Sequence, residues 1–547
     1  MAIARVWRVL GGLGNRVRRW VAPQTARSLL GDVTPPSWQR EQPLDAVAAL
    51  LSDAGWARYD SARSGFLEDG IELLESSWSL ARNGDTACRL GAMYERDNRS
   101  SDCTSLYREA VRRFPYHEDL RCQAAAHFLR HASVDEIRGF VNFVRAIDSR
   151  DPFASYVSMM MDRHVSFARG VHKAVTEVRD SRSPVLMCFP VWGEEYVRDF
   201  IAYACGSLLA PGNLPAAAKR YSLQIVVFTT SSGETAIRDC EVFAQLSRHA
   251  AVHFLHFPDG ADGYASQMTH HYGSRLGELY SRACKFQLFS TSHYATLEAG
   301  RRLSAMVMPL AADNVFSDGS LEAALGLMDG PVDVVAVTGF RLKRGETLDD
   351  MESRYRNADG ILQVPQSAHS KIVASLIPRE FFFDSDRFAP FPLMLCWQAG
   401  DGGVLVHSTH YHPFCIRANV LQGSLDFTID PVDGRFLGRH LPSPERIHVV
   451  KDMAVAISDW SASPLFETAV QGPMVPEKMS RFLWMYWDAL RERYFRAAIR
   501  VGSEVSDSSW SEAERLSQPI VDEILSGVRR HEERQKLRSS WTRIDPH

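Results

Sequence analysis

The chain of 547 residues lacks several signatures that would assign it directly to a large functional class. It contains no G-x-x-x-x-G-K-[ST] loop and no G-x-S-x-G elbow, so nothing supports a P-loop NTPase or an α/β-hydrolase. G-x-G-x-x-G does not follow the first strand-like run, which leaves classical dinucleotide binding without support. Positive charge is not in excess, since the net charge is −4. We therefore expect no nucleic-acid partner.

Long apolar runs and paired cysteines are also missing. No run reaches the ~20 residues of a helix that spans a bilayer. The nine cysteines are scattered, and none of them forms a C-x-x-C pair. This distribution predicts a reducing compartment, a cytoplasmic location and no structural zinc.

Residues 1–22 have the pattern of a basic amphipathic helix, with apolar residues at helical spacing between five arginines. One interpretation places this helix on the inner face of a membrane as a peripheral contact. The other packs it against its own protein. Residues 23–45, which are rich in proline and polar side chains, are predicted to be a linker.

Helical periodicity with short polar breaks follows over residues 46–151. One repeat is legible, and its landmark residues are Leu90, Gly91, Tyr94, Cys103, Tyr107, Ala110 and Pro115. Their types and offsets resemble those of the TPR family. Gly91 and Ala110 would let two helices approach closely, and Pro115 would follow the end of the second. The resemblance implies a surface for a protein partner or acceptor, and the alternative is a helical cap.

Beyond residue 180 short apolar runs alternate with stretches compatible with helices. The runs cover residues 185–190, 223–229, 251–257, 305–310 and 332–338. Such runs are typical of buried parallel strands, so residues 180–470 are predicted to form an α/β domain with a mainly parallel sheet flanked by helices. Residues 471–547 are predicted to be helical, with amphipathic stretches at 476–501 and 510–537.

The most informative stretch is 305–322, AMVMPLAADNVFSDGSLE. An apolar strand runs into Asp313-Asn314, two apolar residues follow, and a capped helix begins. This stretch resembles the metal-binding segment of GT-A-type glycosyltransferases, in which an Asp-x-Asp motif holds a divalent ion against a nucleotide-sugar diphosphate. Ala311 stands where the first Asp of that motif would be, so only Asp313 maps directly. The resemblance implies that Asp313 binds Mn²⁺ or Mg²⁺, which prefer oxygen ligands, and that Asn314 lies at the donor.

Three histidines follow another strand-like run, in VLVHSTHYHPF over 404–414. In an extended chain His410 and His412 share one face, and the resemblance implies that they complete the metal shell. Two alternatives remain at this point. The histidines could belong to a zinc hydrolase, although no further ligand cluster is evident, or they could be hydrogen-bonded loop residues without a ligand.

Three further groups complete the predicted site. Trp192, Gly193 and Glu194 follow the first strand, where ligands of α/β proteins bind, and they are predicted to contact the nucleotide unless Trp192 only covers the sheet. Arg275 is predicted to meet the diphosphate, unless it lies on a solvated helix face. Asp430 and Asp433 are candidates for the catalytic base or the acceptor contact, and the alternative is that they only build a turn.

These features predict a glycosyltransferase that moves a sugar from a nucleotide-sugar donor to a protein or surface-glycan acceptor. The alternative from another class is a non-catalytic TPR scaffold with a degenerate transferase-like domain, which Ala311 favours. A metal-dependent hydrolase is the third option.

Overall fold

The chain divides into two compact units, Met1–Ser149 and Arg150–His547, in a computed structural model. The structure describes residues 48–49, 51–53, 66–178, 180–389, 392–443, 445–461, 470–485 and 487–541. The predicted N-terminal helix (1–22) and linker (23–45) lie outside the described residues.

Helices make up the first unit over its described residues. They are α1 Phe66–Leu80, α2 Gly84–Arg96, α3 Ser100–Arg113, α4 Glu118–His131 and α5 Val134–Ile147. Local sequence sets their ends: the Asn83 side chain accepts from the Thr86 N–H at the start of α2, and Ser133 and Glu136 form a capping box at the start of α5. Helix α3 ends one residue before Phe114-Pro115.

Gly91 gives α2 and α3 a close approach. A Cβ added at Gly91 would lie 2.2 Å from the hydroxyl oxygen of Tyr107. The Tyr107 ring is buried, and its hydroxyl donates to Gln123 Oε1 at 3.1 Å. The small residue therefore makes room for one aromatic ring between the helices.

The second unit is a mixed α/β structure. Its strands are β1 Pro184–Pro190, β2 Ser222–Thr229, β3 Ala251–His256, β4 Met306–Pro309, β5 Asn314–Phe316, β6 Val334–Ala336, β7 Phe340–Lys343, β8 Arg387–Phe388, β9 Met394–Ala399, β10 Gly403–Ser408, β11 Phe414–Arg417, β12 Ile447–Val449, β13 Ile457–Ser461, β14 Val470–Gln471 and β15 Ile499–Val501. Seven of them form the central sheet in the order β12-β6-β11-β4-β1-β2-β3. Only β11 runs antiparallel to its neighbours in that sheet.

Helices connect and cover these strands. They are α6 Pro152–Thr176, α7 Glu194–Asp199, α8 Gly206–Leu208, α9 Leu214–Ala217, α10 Ser231–Arg238, α11 Glu241–Leu246, α12 Tyr264–Leu303, α13 Ser320–Leu327, α14 Glu346–Tyr355, α15 Gln366–Leu376, α16 Gly434–His440, α17 Pro476–Met485, α18 Ala489–Arg496 and α19 Asp507–Trp541. A π-helical turn over Phe200–Cys205 links α7 to α8. Short 3₁₀ turns lie at Ala261–Gly263, Arg379–Phe381 and Ala418–Val420. Gly273 has φ 72° and breaks the helical path inside α12.

Both faces of the central sheet are covered, and this explains the near-continuous apolar runs in its strands. Val185, Met187 and Phe189 join a buried cluster with α13 on one face. On the other face, the Cys188 thiol lies 3.5 Å from the Ser292 carbonyl of α12. Alternate side chains of β1 thus point into two separate layers.

Smaller sheets extend this core. Strands β9, β10 and β15 form an antiparallel sheet, β5, β13 and β7 form another three-stranded sheet, and β8 pairs with β14. The prediction of continuous helix over 476–501 is wrong. Asp488 caps a new helix there, with its carboxylate accepting from the Leu490 and Arg491 N–H groups, and Ile499–Val501 pairs with β10.

The helices and the cysteines bear on two of the predictions from sequence. No helix among the described residues combines the length and apolar character that crossing a bilayer requires. The nine cysteines are free thiols, of which eight are buried and Cys240 is partly accessible.

Candidate functional site

The order of strands reverses direction between β1 and β4. From β1 the chain builds outward through β2 to β3, whereas β4 pairs with the opposite side of β1. In an open parallel sheet a crevice forms outside the carboxyl ends of the strands at such a switch point. The loops that leave β1 and β4 here carry Trp192-Gly193-Glu194 and Asp313. Sheet topology therefore places two of the predicted site segments at one edge.

Asp313 is joined there by Asp459, a residue that is distant in sequence. Asp459 pairs with Asn314 in the antiparallel register of β13 and β5, and the Asn314 side-chain amide donates to the Asp459 carboxylate. The Asn314 side-chain oxygen accepts from the Ala311 N–H at 2.7 Å. Asn314 is fully buried. Its amide therefore positions the two acidic residues, and it does not face the crevice as predicted for a donor contact.

Ionisation of both carboxyl groups is unfavourable in this position. Burial is the main cause of the raised pKa of Asp313, and Arg341, Arg344 and Lys285 oppose it. Burial, followed by the charge of Asp313, raises the pKa of Asp459 to about 7. Two carboxylates that share a site hold a proton between them unless a cation compensates their charge.

Three cations act on Asp313, and one of them, Arg341, also acts on Asp459. The Arg344 guanidinium contacts the Asp199 carboxylate, lies 3.0 Å from Glu195 Oε1, and donates to the Trp460 carbonyl at 2.9 Å. Lys285 donates to the Tyr196 hydroxyl at 3.1 Å. Arg341 is exposed and makes no hydrogen bond or ion pair within the described part of the chain. We call the six residues Asp199, Lys285, Asp313, Arg341, Arg344 and Asp459 the switch-point cluster.

His410 and His412 lie beside this cluster, outside strand β10, with their ring centroids 6.4 Å apart. Burial lowers the pKa of each to about 3, and the charge of Arg341 contributes to both shifts. Both imidazoles are therefore neutral near pH 7. Buried His293 joins them, with its ring centroid 6.1 Å from that of His412. The third histidine of the motif, His407, lies elsewhere and bonds to the Phe495 carbonyl at 2.8 Å.

Of the remaining predicted site residues, some are packed in the interior and others are exposed to solvent. Trp192 is 7% exposed and packs edge-on against Phe257, so its ring covers the sheet and is not an open stacking platform. Gly193 has φ 79°, which suits glycine, and it precedes α7. Glu194 is exposed, whereas its neighbour Glu195 reaches Arg344. Arg275 is exposed on α12, two residues beyond the break at Gly273.

Asp430 and Asp433 belong to a second polar group. Asp430 pairs with Arg439 at 2.5 Å, and the Asp433 carboxylate accepts from the Arg435 N–H at 2.9 Å as the N-cap of α16. Burial, followed by the charge of Asp430, raises the pKa of Asp433. Both carboxyl groups thus have partners at the start of α16 or within it, and their role as catalytic base or acceptor contact stays a prediction.

The chemistry of the Asp313–Asp459 pair fits a hard divalent cation. Carboxylate oxygens are the ligands that Mg²⁺ and Mn²⁺ prefer, and burial makes the ionisation of these two carboxyl groups costly without a further cation. His410 and His412 do not come within common ligand reach of them. In the described ranges, the one group of three His, Cys, Asp or Glu side chains with converging ligand atoms is Glu95, Cys103 and His127.

Sequence reasoning missed Asp459, Arg341 and Arg344. Asp459 follows the apolar run 453–457 after one serine, and Arg341 and Lys343 alternate with buried Phe340 and Leu342 in β7. These two patterns indicate two strands, and each strand carries polar residues toward one end. The pairing of β13 with both β5 and β7 could not be read from them, because it joins segments more than a hundred residues apart.

No protein-family model matches this chain, and no curated protein sequence matches it either.

Proposed function

We propose that the second unit transfers a sugar from a nucleotide-sugar donor, with the diphosphate bound at the switch-point cluster. The observation that carries this proposal is the pair Asp313 and Asp459, held with raised pKa values at the carboxyl edge of a parallel sheet among three cations. The resemblance of the Asp313 segment to GT-A-type glycosyltransferases supports the same assignment.

In this proposal the acceptor oxygen forms a bond to the anomeric carbon while the bond from that carbon to the diphosphate oxygen breaks. The acceptor loses its proton, and negative charge develops on the departing diphosphate. Asp313 and Asp459 would hold the divalent ion, which supplies charge neutralisation on the diphosphate when bound. Arg341 and Lys285, both exposed beside the carboxyl pair, would stabilise the same charge.

Arg344 has a different task. Its guanidinium is committed to Asp199, Glu195 and the Trp460 carbonyl. It would therefore hold α7 and β13 in position and leave direct contact with the donor to Arg341 and Lys285.

A thermal-shift panel of UDP-, GDP-, CMP- and dTDP-sugars, each with Mn²⁺ and with EDTA, tests this function. A ligand that binds only the folded chain stabilises it by about 2.7 kcal/mol at a hundredfold excess over Kd. We expect one nucleotide to raise the melting temperature in a metal-dependent manner, and Asp313→Asn to abolish the shift. Asp401→Asn, in the exposed turn between β9 and β10, is the matched control. No shift with any donor would contradict the proposal and favour the scaffold alternative.

A further inference from the structure

Glu95, Cys103 and His127 converge between three helices of the first unit, α2, α3 and α4. One ligand atom from each side chain lies within 4.8 Å of the other two. Cys103 is 0% exposed and His127 is 2% exposed, whereas Glu95 is partly accessible. The three side chains offer one thiol, one imidazole and one carboxylate to a common point.

Hydrogen bonding fixes which imidazole nitrogen faces that point. The Thr104 hydroxyl donates its single proton to the Ser100 carbonyl at 2.8 Å. At 2.7 Å from His127 Nε2 the hydroxyl oxygen must therefore accept, so Nε2 carries a proton. The other nitrogen, Nδ1, contacts the Glu95 carboxylate. A lone pair and a carboxylate repel each other at hydrogen-bond distance, so a proton lies between them in the metal-free chain. A Zn²⁺ ion that takes the place of this proton moves the two side chains slightly apart, because two atoms bound to one Zn²⁺ lie farther from each other than the two ends of a hydrogen bond.

The thiol completes this arrangement. Cys103 Sγ lies 3.5 Å from the Gly91 carbonyl oxygen and 3.9 Å from Glu95 Oε1. Burial, followed by the charge of Glu95, raises the pKa of the thiol, so without a metal it keeps its proton. A bound cation reverses this preference, because metal coordination deprotonates a thiol.

We propose that Glu95, Cys103 and His127 bind one Zn²⁺-class transition-metal ion, with water in the fourth position. The ion displaces the thiol proton and the proton between His127 Nδ1 and Glu95. Its two positive charges then balance one thiolate and one carboxylate, which leaves a buried site without net charge. Thiolate and imidazole donors select Zn²⁺ over Mg²⁺ or Mn²⁺. Thr104 orients His127 from behind, as partners of metal-binding histidines do.

This site is independent of the switch-point cluster. The carboxylates of Asp313 and Asp459 suit a hard cation, whereas the Cys103 site suits a softer one. No sequence pattern predicts this site, because residues 95, 103 and 127 have no C-x-x-C spacing and only the helix packing brings them together.

Cobalt titration of the full chain tests the site, because Co²⁺ takes the place of Zn²⁺ and a thiolate ligand gives it an intense near-ultraviolet band. The chain is first stripped with chelator under reducing conditions. We expect the band to reach its end point at one equivalent of Co²⁺ and to disappear when one equivalent of Zn²⁺ is added. Absence of the band in the unmodified chain overturns the proposal and leaves a proton between His127 and Glu95.

Variants assign the ligands. Cys103→Ser and His127→Gln should each remove the band or shift its end point at least tenfold in Co²⁺ concentration. Cys122→Ser, which changes another buried cysteine of the same unit, should leave it unchanged. Circular dichroism of the metal-free variants checks that the helices form, and His127→Gln decides the test if Cys103→Ser does not fold. Retention of the band in both ligand variants would assign the metal to other residues and overturn the proposal.

Discussion

Asn314 ties Asp313 to Asp459. Its side-chain amide donates to the Asp459 carboxylate from the adjacent strand, and its side-chain oxygen accepts from the Ala311 N–H in the turn that carries Asp313. The hydrogen bond from this neutral amide favours the ionised form of Asp459, but it adds no positive charge to offset the two carboxylates. The fold therefore holds Asp313 and Asp459 in positions where ionising both carboxyl groups is unfavourable.

The first prediction concerns the pH dependence of stability in EDTA. The folded chain retains a proton on Asp459, whose pKa is about 7, that the unfolded chain releases above about pH 4. The free energy of unfolding therefore falls as pH rises from about 4 to about 7, by about 1.4 kcal/mol per pH unit. Asp459→Asn removes this loss and should stabilise the chain at pH 8 by up to about 4 kcal/mol.

Scanning calorimetry at pH 5 and pH 8 measures this effect as the difference in melting temperature between variant and unmodified chain. The advantage of Asp459→Asn should grow between the two pH values, whereas Asp401→Asn should show no such growth. A constant difference would mean that Asp459 ionises normally. Buried histidines such as His407, whose pKa burial lowers to about 4, act in the opposite direction, since their stabilising contribution is lost as pH falls. Both chains share them, so they cancel in the difference.

The ion pair between Arg344 and Asp199 leads to the second prediction. Asp199 is 2% exposed, and burial raises its pKa while Arg344 opposes the shift. Arg344→Met should destabilise the chain by about 3 kcal/mol, because it leaves a buried carboxylate without its cation. Adding Asp199→Asn should recover most of that loss, which calorimetry of the single and double variants measures. If the single variant and the double variant are equally destabilised, the loss comes from the missing packing of the Arg344 side chain and not from an unpaired Asp199 carboxylate.

Much of the architecture of the second unit followed from local sequence, and much of its site did not. The apolar runs at 185–190 and 305–310 predicted buried strands, and both lie side by side at the centre of the sheet. Asp313 was found because strand, turn and helix are contiguous around it. Asp459 and Arg341 reach Asp313 only through the pairing of β13 with β5 and β7, which depends on tertiary packing. Local patterns identify the elements, but they do not give the order of strands in a sheet.

The third prediction concerns the close approach at Gly91. Gly91→Ala would place a methyl group 2.2 Å from the Tyr107 hydroxyl oxygen, on a ring that is buried. The ring must shift and its bond to Gln123 must weaken, so we expect a loss of about 1–3 kcal/mol. Hydrogen exchange of the amides in α2 and α3 should accelerate by about tenfold to a hundredfold.

Gly139→Ala in α5 is the matched control, because nothing lies within 4 Å of the added Cβ and the residue is exposed. Alanine is the better helix former by about 1 kcal/mol, so exchange in α5 should slow instead. Acceleration in both variants would show that the loss at Gly91 does not come from the ring of Tyr107.

The last prediction separates binding from stability at the switch-point cluster. Arg341 and Lys343 both lie on the exposed side of β7, two residues apart, and each carries one positive charge. The charge of Arg341 acts on Asp313, Asp459, His410 and His412. Since Arg341 has no ion-pair partner among the residues described, Arg341→Ala should change the melting temperature little.

Its effect on the donor should be large. A charge-assisted hydrogen bond contributes about 1.5–3 kcal/mol, so Arg341→Ala should weaken the nucleotide found in the thermal-shift panel by about 10- to 100-fold. Calorimetric titration of that nucleotide with Mn²⁺ measures the change. Lys343→Ala removes an equal charge from the same strand and should weaken binding by less than about threefold, because Arg341 and not Lys343 is the cation of β7 that acts on Asp313 and Asp459. Equal losses of nucleotide affinity in the two variants would mean that only the total positive charge of β7 matters. A loss confined to Arg341→Ala would support a diphosphate position beside Asp313.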